Sequence, residues 1–582
     1  MVIVSPDGKN VAQIIVEFLV ARGVIRVYGL VGGHIQPLWD ELAGQGIEIV
    51  DVRHESAAVY MAHAESVLTR RLGVAMVTAG PGLTNAMTGI ANAHVSRASV
   101  LVIAGRTPRP QTGKGAMQDL PQAALMQPLC RLVESVSDRR QVLPSLDAVT
   151  RAALGEDSPP GPAYIDFPTD LLRERAPEGR VDPEYLHPFG LQVMSPGRAD
   201  VASAAALIRA ARRPLVLSGR NAREYSDLLV EFLNVSGAVY LDTPESRGAV
   251  PSHPSFVPAM RGRAMREADL VMTLGRRLDF QLAYGSSAVF ASDATFIRIG
   301  RTADEISDNR RGAIEIKADV GPTLAHLLST DVRPRGDRAW REELVAANQV
   351  RGETLATRLR EAPAGPDGRM HPYTLIAAIN EVIDDDTITV VDGGDILSFA
   401  RVALKITRTY LDPGQLGCIG VGVPFANAAA LNLSGRRVIA LVGDGSFGFM
   451  AIELDTAVRK KARAVYVVAN NEGWNIDRHD QRRNYRHVVG VNLPGCRYDE
   501  LARGLGAYAE RVEDAVALPG ALRRAVDNAP ALLDVLVSAE PTSPDFDSGL
   551  AEVCTYQALR TWNDAEERLL TRATAGSPRP SS

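Results

Sequence analysis

An α/β fold of three doubly wound parallel-sheet domains is predicted by three features of the 582-residue sequence. Short apolar stretches alternate with helical periodicity and glycine-bearing turns. Two stretches rich in Pro and Gly interrupt that rhythm. The first and last units read as two versions of one architecture. Strand, turn, helix and strand in this order call for a parallel sheet covered on both faces, and a length prior of roughly three or four domains agrees.

The first unit (1–180) opens with "VAQIIVEFLVARG" (11–23), which has helical spacing and ends in a glycine. "VIRVYGLVGG" follows as strand and glycine turn, then "LGVAMVTAGPGLTN" (72–85) as a buried strand entering a Gly-Pro-Gly turn, then "ASVLVIAG" as another strand. The rhythm stops at "APEGRVDPEYLHPFGLQVMSPGR" (176–198), read as a linker. A central unit (190–350) restarts at "RRPLVLSGRN" and continues through "ADLVMTLGRRLDF" to "IEIKADVGPTLAHLL". A second linker, "LREAPAGPDGRMHP" (359–372), precedes the third unit (365–555), with strands at "TITVVDGGD", "RRVIALVGDG" and "ARAVYVVANN". The remainder, 556–582, reads as a short helical stretch and a disordered end.

Composition excludes several classes. A formal charge of −5 with both signs interspersed does not make the basic face of a nucleic-acid binder. Four scattered cysteines without a CxxC pair fit neither a disulfide framework nor a zinc site, so a reducing compartment is expected. The N-terminus lacks the basic and apolar regions of a secretory signal, and no apolar run is long enough for a bilayer span. The expectation is a cytoplasmic protein acting on small molecules, with no nucleic-acid or membrane partner.

"LVGDGSFG" (441–448) places Asp444 between Gly443 and Gly445 at a strand end, with Ser446 leading into a helix. Ligands of open parallel sheets sit where strands end, and a glycine-rich helix N-terminus favours phosphate. The next strand ends in Asn470 and Asn471, followed by Gly473. Adjacent strands would bring Asp444, Asn471 and the Gly473 carbonyl together, three oxygens that suit Mg²⁺ completed by water and phosphate. Between GDG and NN lie twenty-four residues. A second carboxylate, Glu55 in "VDVRHESAAVYMAHAES", follows a strand and opens an Ala-rich helix.

The GDG…NN pair, "RHESAA", "TAGPGLTNAMTGIANA" and "LGCIGVGVPFANAAAL" together resemble the thiamine-diphosphate (ThDP)-dependent decarboxylases and carboligases. That group includes acetolactate synthase, oxalyl-CoA decarboxylase, benzaldehyde lyase and 2-hydroxyacyl-CoA lyase. The resemblance runs over nearly the whole chain, in the order pyrimidine-binding, central and diphosphate-binding domain. It implies that Glu55 activates the cofactor's aminopyrimidine from one subunit, while Asp444, Asn471 and Gly473 hold Mg²⁺ and diphosphate in the other. A homodimer is then the minimum unit, and a homotetramer is expected. The same carry-over puts Ile419 under the bent cofactor, the Gly417 carbonyl on its 4′-amino group, Gly394 and Asp395 near the diphosphate, and Pro81 at the cofactor.

Finer likenesses point to the 2-hydroxyacyl-CoA lyase and benzaldehyde lyase branch. "GGHIQPLWDEL" places His34 where benzaldehyde lyase has an active-site histidine, and "KGAMQDLPQAALMQPLCR" places Gln118 at an active-site glutamine. They imply a carbon–carbon lyase, reversible as a carboligase, that cleaves a 2-hydroxyacyl-CoA to formyl-CoA and an aldehyde or ketone. In that reaction His34 would be the base for the 2-hydroxyl and Gln118 the partner of the developing alkoxide. The alternative is an acetolactate-synthase-like decarboxylating carboligase acting on 2-oxo acids. Many relatives bind FAD or ADP centrally, but the corresponding segments here read "RPLVLSGRN" and "IRIGR", with Arg220 and Arg301. FAD is not expected, and the departures also put a bound nucleotide such as ADP in doubt. Arginines 220, 223, 276 and 277 are expected to form a solvated face rather than a phosphate site. "YQALRTWNDAEERLL" (556–570) is a candidate lid.

Overall fold

Continuous apolar strands need cover on both faces, and the chain supplies it three times over. The computed structural model describes residues 9–156, 158–176, 192–333 and 338–544, with Tyr185, Phe546, Asp564 and Glu567 besides. The second linker is therefore described, whereas most of the first and the candidate lid at 556–570 lie outside the described residues. The first sheet contains β1 (Arg26–Gly29), β2 (Glu48–Asp51), β3 (Gly73–Val77), β4 (Val100–Arg106), β5 (Val133–Ser135) and β6 (Ala163–Pro168), in the order β2-β1-β3-β4-β6-β5. The central sheet contains β7 (Pro214–Ser218), β8 (Val239–Leu241), β9 (Leu270–Leu274), β10 (Thr295–Gly300) and β11 (Ile314–Lys317), in the order β11-β10-β9-β7-β8. The third contains β12 (Ile388–Asp392), β13 (Thr409–Leu411), β14 (Val438–Gly443), β15 (Ala464–Asn470), β16 (Tyr508–Val512) and β17 (Ala531–Leu536), in the order β13-β12-β14-β15-β17-β16. First and third sheets thus share one strand order, all of it parallel, and β3, β12, β15 and β17 are buried along their whole length.

The first and third domains share one core. The helix Glu55–Thr69 buries Ala57, Ala58, Ala62 and Ala64 completely, and the helix Gly422–Asn432 meets it with Ala426, Ala428 and Ala429. Side chains this small let the helices approach closely. Phe425 fills the space between them, edge-on to Tyr60 and His63 at ring separations of 6.4 and 5.0 Å. Polar contacts set the register: Arg26 donates to Asn432 Oδ1 at 2.8 Å, and the Asn432 amide donates to the Tyr28 hydroxyl at 2.8 Å.

Between the expected central unit (190–350) and the expected third unit (365–555), one helix runs from Arg338 to Arg360. Trp340 and Leu344 pack in the central core, while Leu359 packs in the third. Its middle is polar all round, the composition of a helix bridging two domains through solvent, and it leaves no periodic signal. Among the described residues no helix is long and apolar enough to cross a membrane.

Phe425→Ala should cost about 3–5 kcal/mol and lower the unfolding temperature of the first and third domains together in calorimetry. A shift confined to one of them would contradict a shared core.

Candidate functional site

Parallel pairing of β14 with β15, in register Gly443 opposite Ala469, brings Asp444 and Asn471 out of neighbouring strand ends. Asp444 opens the helix Asp444–Met450, which begins on the GDG carboxylate itself. Its Oδ2 accepts the Gly473 N–H at 2.9 Å. The two adjacent asparagines do different things. Asn470 turns away, donating to Asp534 at 2.8 Å and accepting the Glu472 N–H at 3.1 Å. Asn471 faces the cleft with a buried Oδ1 that has no partner. Gly445 is required sterically, since a Cβ there would lie 2.4 Å from the Trp474 ring.

The resulting cleft opens to solvent, and the space in it and at its mouth is about 590 Å³. Of the residues singled out from sequence, Gly394, Asp395, Ile419, Gly443, Asp444, Gly445, Ser446, Asn471 and Gly473 line it. Gly417 does not; it lies exposed in a left-handed turn (φ 66°) two residues before Ile419. Burial pushes Asp444 up to about 7 and Asp395 up to about 6, the latter against side-chain hydrogen bonds from Asn475 and Ser543. These carboxylates, beside an orphaned amide oxygen, form an oxygen-rich pocket, and the buried Arg478 guanidinium, which lies directly behind Gly473, interacts electrostatically with both acids. Such a donor set suits a hard cation and not zinc, and among the described residues no three His, Cys, Asp or Glu gather as a metal group. Residues missed from sequence are Trp474, Asn475 and Ile476, which line the far wall. Asn475 donates to Asp395 at 2.9 Å. Only their place directly after Gly473 could have flagged them.

A second constellation forms at the carboxyl edge of the first sheet. Glu55 follows β2 as the first residue of its helix, 6% exposed, and accepts from Asn85 Nδ2 at 3.1 Å. A Cβ on Gly82 would meet Glu55 Oε1 at 3.6 Å, so the backbone after Pro81 runs directly past the carboxylate. Gly80 has φ +59°, and a Cβ there would lie 2.8 Å from Gln118 Cβ. Gln118 itself holds φ 64°, a left-handed strain rare outside glycine. His34 sits in the turn after β1, so close to Gly105 that a Cβ there would come within 2.6 Å of its own Cβ. Its Nδ1 is buried with no partner. The loops after β1, β2, β3 and β4 thus bring His34, Glu55, Pro81 and Gln118 to one sheet edge. Among the described residues, none of the first domain lines the Asp444 cleft of the same chain.

Gln122 supports this edge and was missed from sequence. It is 2% exposed, accepts the Gly80 N–H at 2.7 Å, and donates to the Gly105 carbonyl and the Tyr164 hydroxyl, each at 3.0 Å. One side chain therefore ties the turn facing Gln118 to the strand facing His34. Gln122→Leu strands the Gly80 N–H and should cost about 1–3 kcal/mol in a denaturant melt. An unchanged midpoint would mean that the turn holds itself.

The arginines do not form a solvated face. Arg276 is fully buried, paired with Asp279 at 2.9 Å and Glu245 at 3.3 Å. Arg220 donates to the Ser96 carbonyl at 2.8 Å and to that of Arg97. Arg223 donates to the carbonyls of Arg247 at 2.7 Å and Tyr410 at 3.1 Å. Arg277 is half-buried. The expectation failed because the partners of Arg220 and Arg223 include backbone oxygens of other domains, which leave no trace in sequence.

Comparison with known proteins agrees with this layout. Family models match in order: thiamine pyrophosphate enzyme, N-terminal TPP binding domain over 9–125; central domain over 201–327; and C-terminal TPP binding domain over 392–535. Acetolactate synthase large subunit IlvG of Mycobacterium tuberculosis is 31% identical over 544 residues, covering 92% of this chain and 97% of the relative. 2-Hydroxyacyl-CoA lyase 2 of Homo sapiens is 31% identical over 582 residues, covering 92% and 90%. 2-Hydroxyacyl-CoA lyase 1 of Mus musculus is 29% identical over 571 residues, covering 92% and 96%. With two carboxylate-centred edges matching the two cofactor-binding domains, the chain belongs to the thiamine-pyrophosphate enzyme family.

Proposed function

We propose that this enzyme is a Mg²⁺-dependent carbon–carbon lyase that cleaves a 2-hydroxyacyl-CoA to formyl-CoA and an aldehyde or ketone, reversibly. The observation that carries the reading is the gathering of His34, Glu55 and Gln118 on one sheet edge, each held by close backbone contact. Thiamine diphosphate, when bound, supplies a nucleophilic carbon and an electron sink. Asp444, Asn471 and the Gly473 carbonyl would hold the cation that serves the diphosphate. The glycines of the GDG turn let backbone amides approach the phosphate oxygens. Ile419, which lines the cleft, would support the ring end. Glu55 would hold a proton toward the cofactor's pyrimidine nitrogen. His34 takes the proton of the substrate's 2-hydroxyl, and the Gln118 amide donates to that oxygen as the C1–C2 bond breaks.

Because, among the described residues, the Asp444 cleft draws nothing from the first domain of its own chain, the reading requires Glu55 of a second copy: a homodimer at minimum. The alternative, a decarboxylating carboligase on 2-oxo acids, draws support from the acetolactate synthase relatives. A flavin is not part of this reading, on the sequence departures at Arg220 and Arg301. At the carboxyl edge of the central sheet Arg276 pairs with Asp279, Glu245 and Gln281, and Glu245 and Gln281 line a pocket there together with Arg220 and Arg223.

Product analysis tests the reading. Formyl-CoA and a carbonyl compound from a 2-hydroxyacyl-CoA are expected; CO₂ and acetolactate from pyruvate would overturn it. Glu55→Gln should leave cofactor affinity near wild type while slowing C2–H exchange of bound ThDP by about 10²–10⁴-fold. Unchanged exchange would remove Glu55 from this role. Asp444→Ala should weaken Mg²⁺ and ThDP binding together in a calorimetric titration, and normal ThDP affinity would place the cation elsewhere.

A further inference from the structure

Glu453 is a fully buried carboxylate that the proposed chemistry leaves unused. It opens the helix Glu453–Lys460, separated from the Asp444–Met450 helix by only Ala451 and Ile452, and is 0% exposed. Its Oε1 reaches across the domain boundary and accepts two backbone N–H groups, those of Arg53 at 3.0 Å and His54 at 2.9 Å. These are the two residues immediately before Glu55. Its Oε2 accepts the Thr456 hydroxyl at 2.6 Å, and its own carbonyl accepts Asn427 Nδ2 at 2.9 Å. Every oxygen of the residue is therefore engaged.

The geometry is that of a clamp. A helix N-terminus leaves backbone donors without intrahelical partners and carries the positive end of the macrodipole. His54 caps its own helix through Nδ1, which accepts the Ser56 N–H at 3.2 Å. Glu453 takes the N–H of the cap residue His54 and that of Arg53 before it with one carboxylate oxygen, the stronger class of hydrogen bond. Around it Arg53 pairs with Asp455 at 2.6 Å and Lys460 with Asp51 at 2.5 Å, but these partners are more exposed and contribute little.

We infer that Glu453 is a positioning residue for Glu55: its carboxylate fixes the backbone from which Glu55 projects, and joins that backbone to the helix pair that starts at Asp444. The inference rests on the thiamine reading for the task of Glu55, but the clamp itself is a property of this chain alone. In a homodimer the two ends of this unit serve different active sites.

Three variants test it. Glu453→Ala removes both acceptors; Glu453→Gln keeps Oε1 for the two N–H groups and offers Thr456 an amide. Thr456→Val loosens only the far oxygen and serves if Glu453→Ala does not fold. In amide hydrogen exchange by mass spectrometry, Glu453→Ala should expose the segment spanning residues 53–57 at least about tenfold faster than wild type, with Glu453→Gln close to wild type. C2–H exchange of bound ThDP should slow by about tenfold or more in Glu453→Ala, with ThDP affinity changed less than about threefold, and recover in Glu453→Gln. Thr456→Val should show the same two effects at about threefold. Unchanged amide exchange overturns the clamp. Equal losses of affinity and C2–H exchange, without rescue by glutamine, overturn the positioning role. If wild type binds no ThDP at saturating Mg²⁺, the cofactor reading fails, while the amide-exchange arm still decides the clamp.

Discussion

The alanine face shared by the helices Glu55–Thr69 and Gly422–Asn432 is the contact on which the other features depend. Large side chains would hold the two domains apart; alanines bring the backbones close enough for Phe425 to bridge the remaining gap against Tyr60 and His63. From that packing follow the Arg26–Asn432–Tyr28 bonds on one side and the reach of Glu453 to Arg53 and His54 on the other. It also fixes where the two reactive edges point. The Glu55 edge and the Asp444 cleft belong to two domains that share a core, yet among the described residues the cleft is lined by the third domain alone.

Buried acid is the second constraint. Asp444, Asp395 and Glu453 all lose hydration in the third domain, and burial raises each above the ordinary carboxylate range. They are answered differently. Glu453 is satisfied within the protein by two amides and a hydroxyl, which makes it structural. Asp444 and Asp395 are satisfied in part and share their cleft with the unpartnered Asn471 oxygen. Unmet acceptors concentrated at a sheet's carboxyl edge are what a cation and a phosphate would complete.

Much of this was legible in the sequence, for a physical reason. Parallel strands buried on both faces are continuous apolar runs, and the turns after them are short and glycine-bearing, so GDG, NN and the Glu55 helix could be placed on strand ends without a structure. The division of labour between Asn470 and Asn471 could not, because it depends on which side of β15 each leaves. Gln122 and Glu453 were invisible because their partners are backbone groups distant in sequence, 42 and about 400 residues away. The arginines misled for the same reason: Arg220 and Arg223 have carbonyl partners in other domains. The Arg338–Arg360 helix hid because a helix polar along its middle has no hydrophobic period to read.

The central claim is that one chain carries both halves of the chemistry but completes neither site alone. Hybrid dimers test it most directly. Glu55→Gln and Asp444→Ala chains with different affinity tags would be co-expressed, and the mixed dimer isolated through both tags. Each parent dimer has two defective sites, whereas the mixed dimer pairs both defects in one site and leaves the other intact. The account predicts activity near half that of wild type in the mixed dimer, from two parents that have almost none. A mixed dimer as inactive as its parents would contradict it.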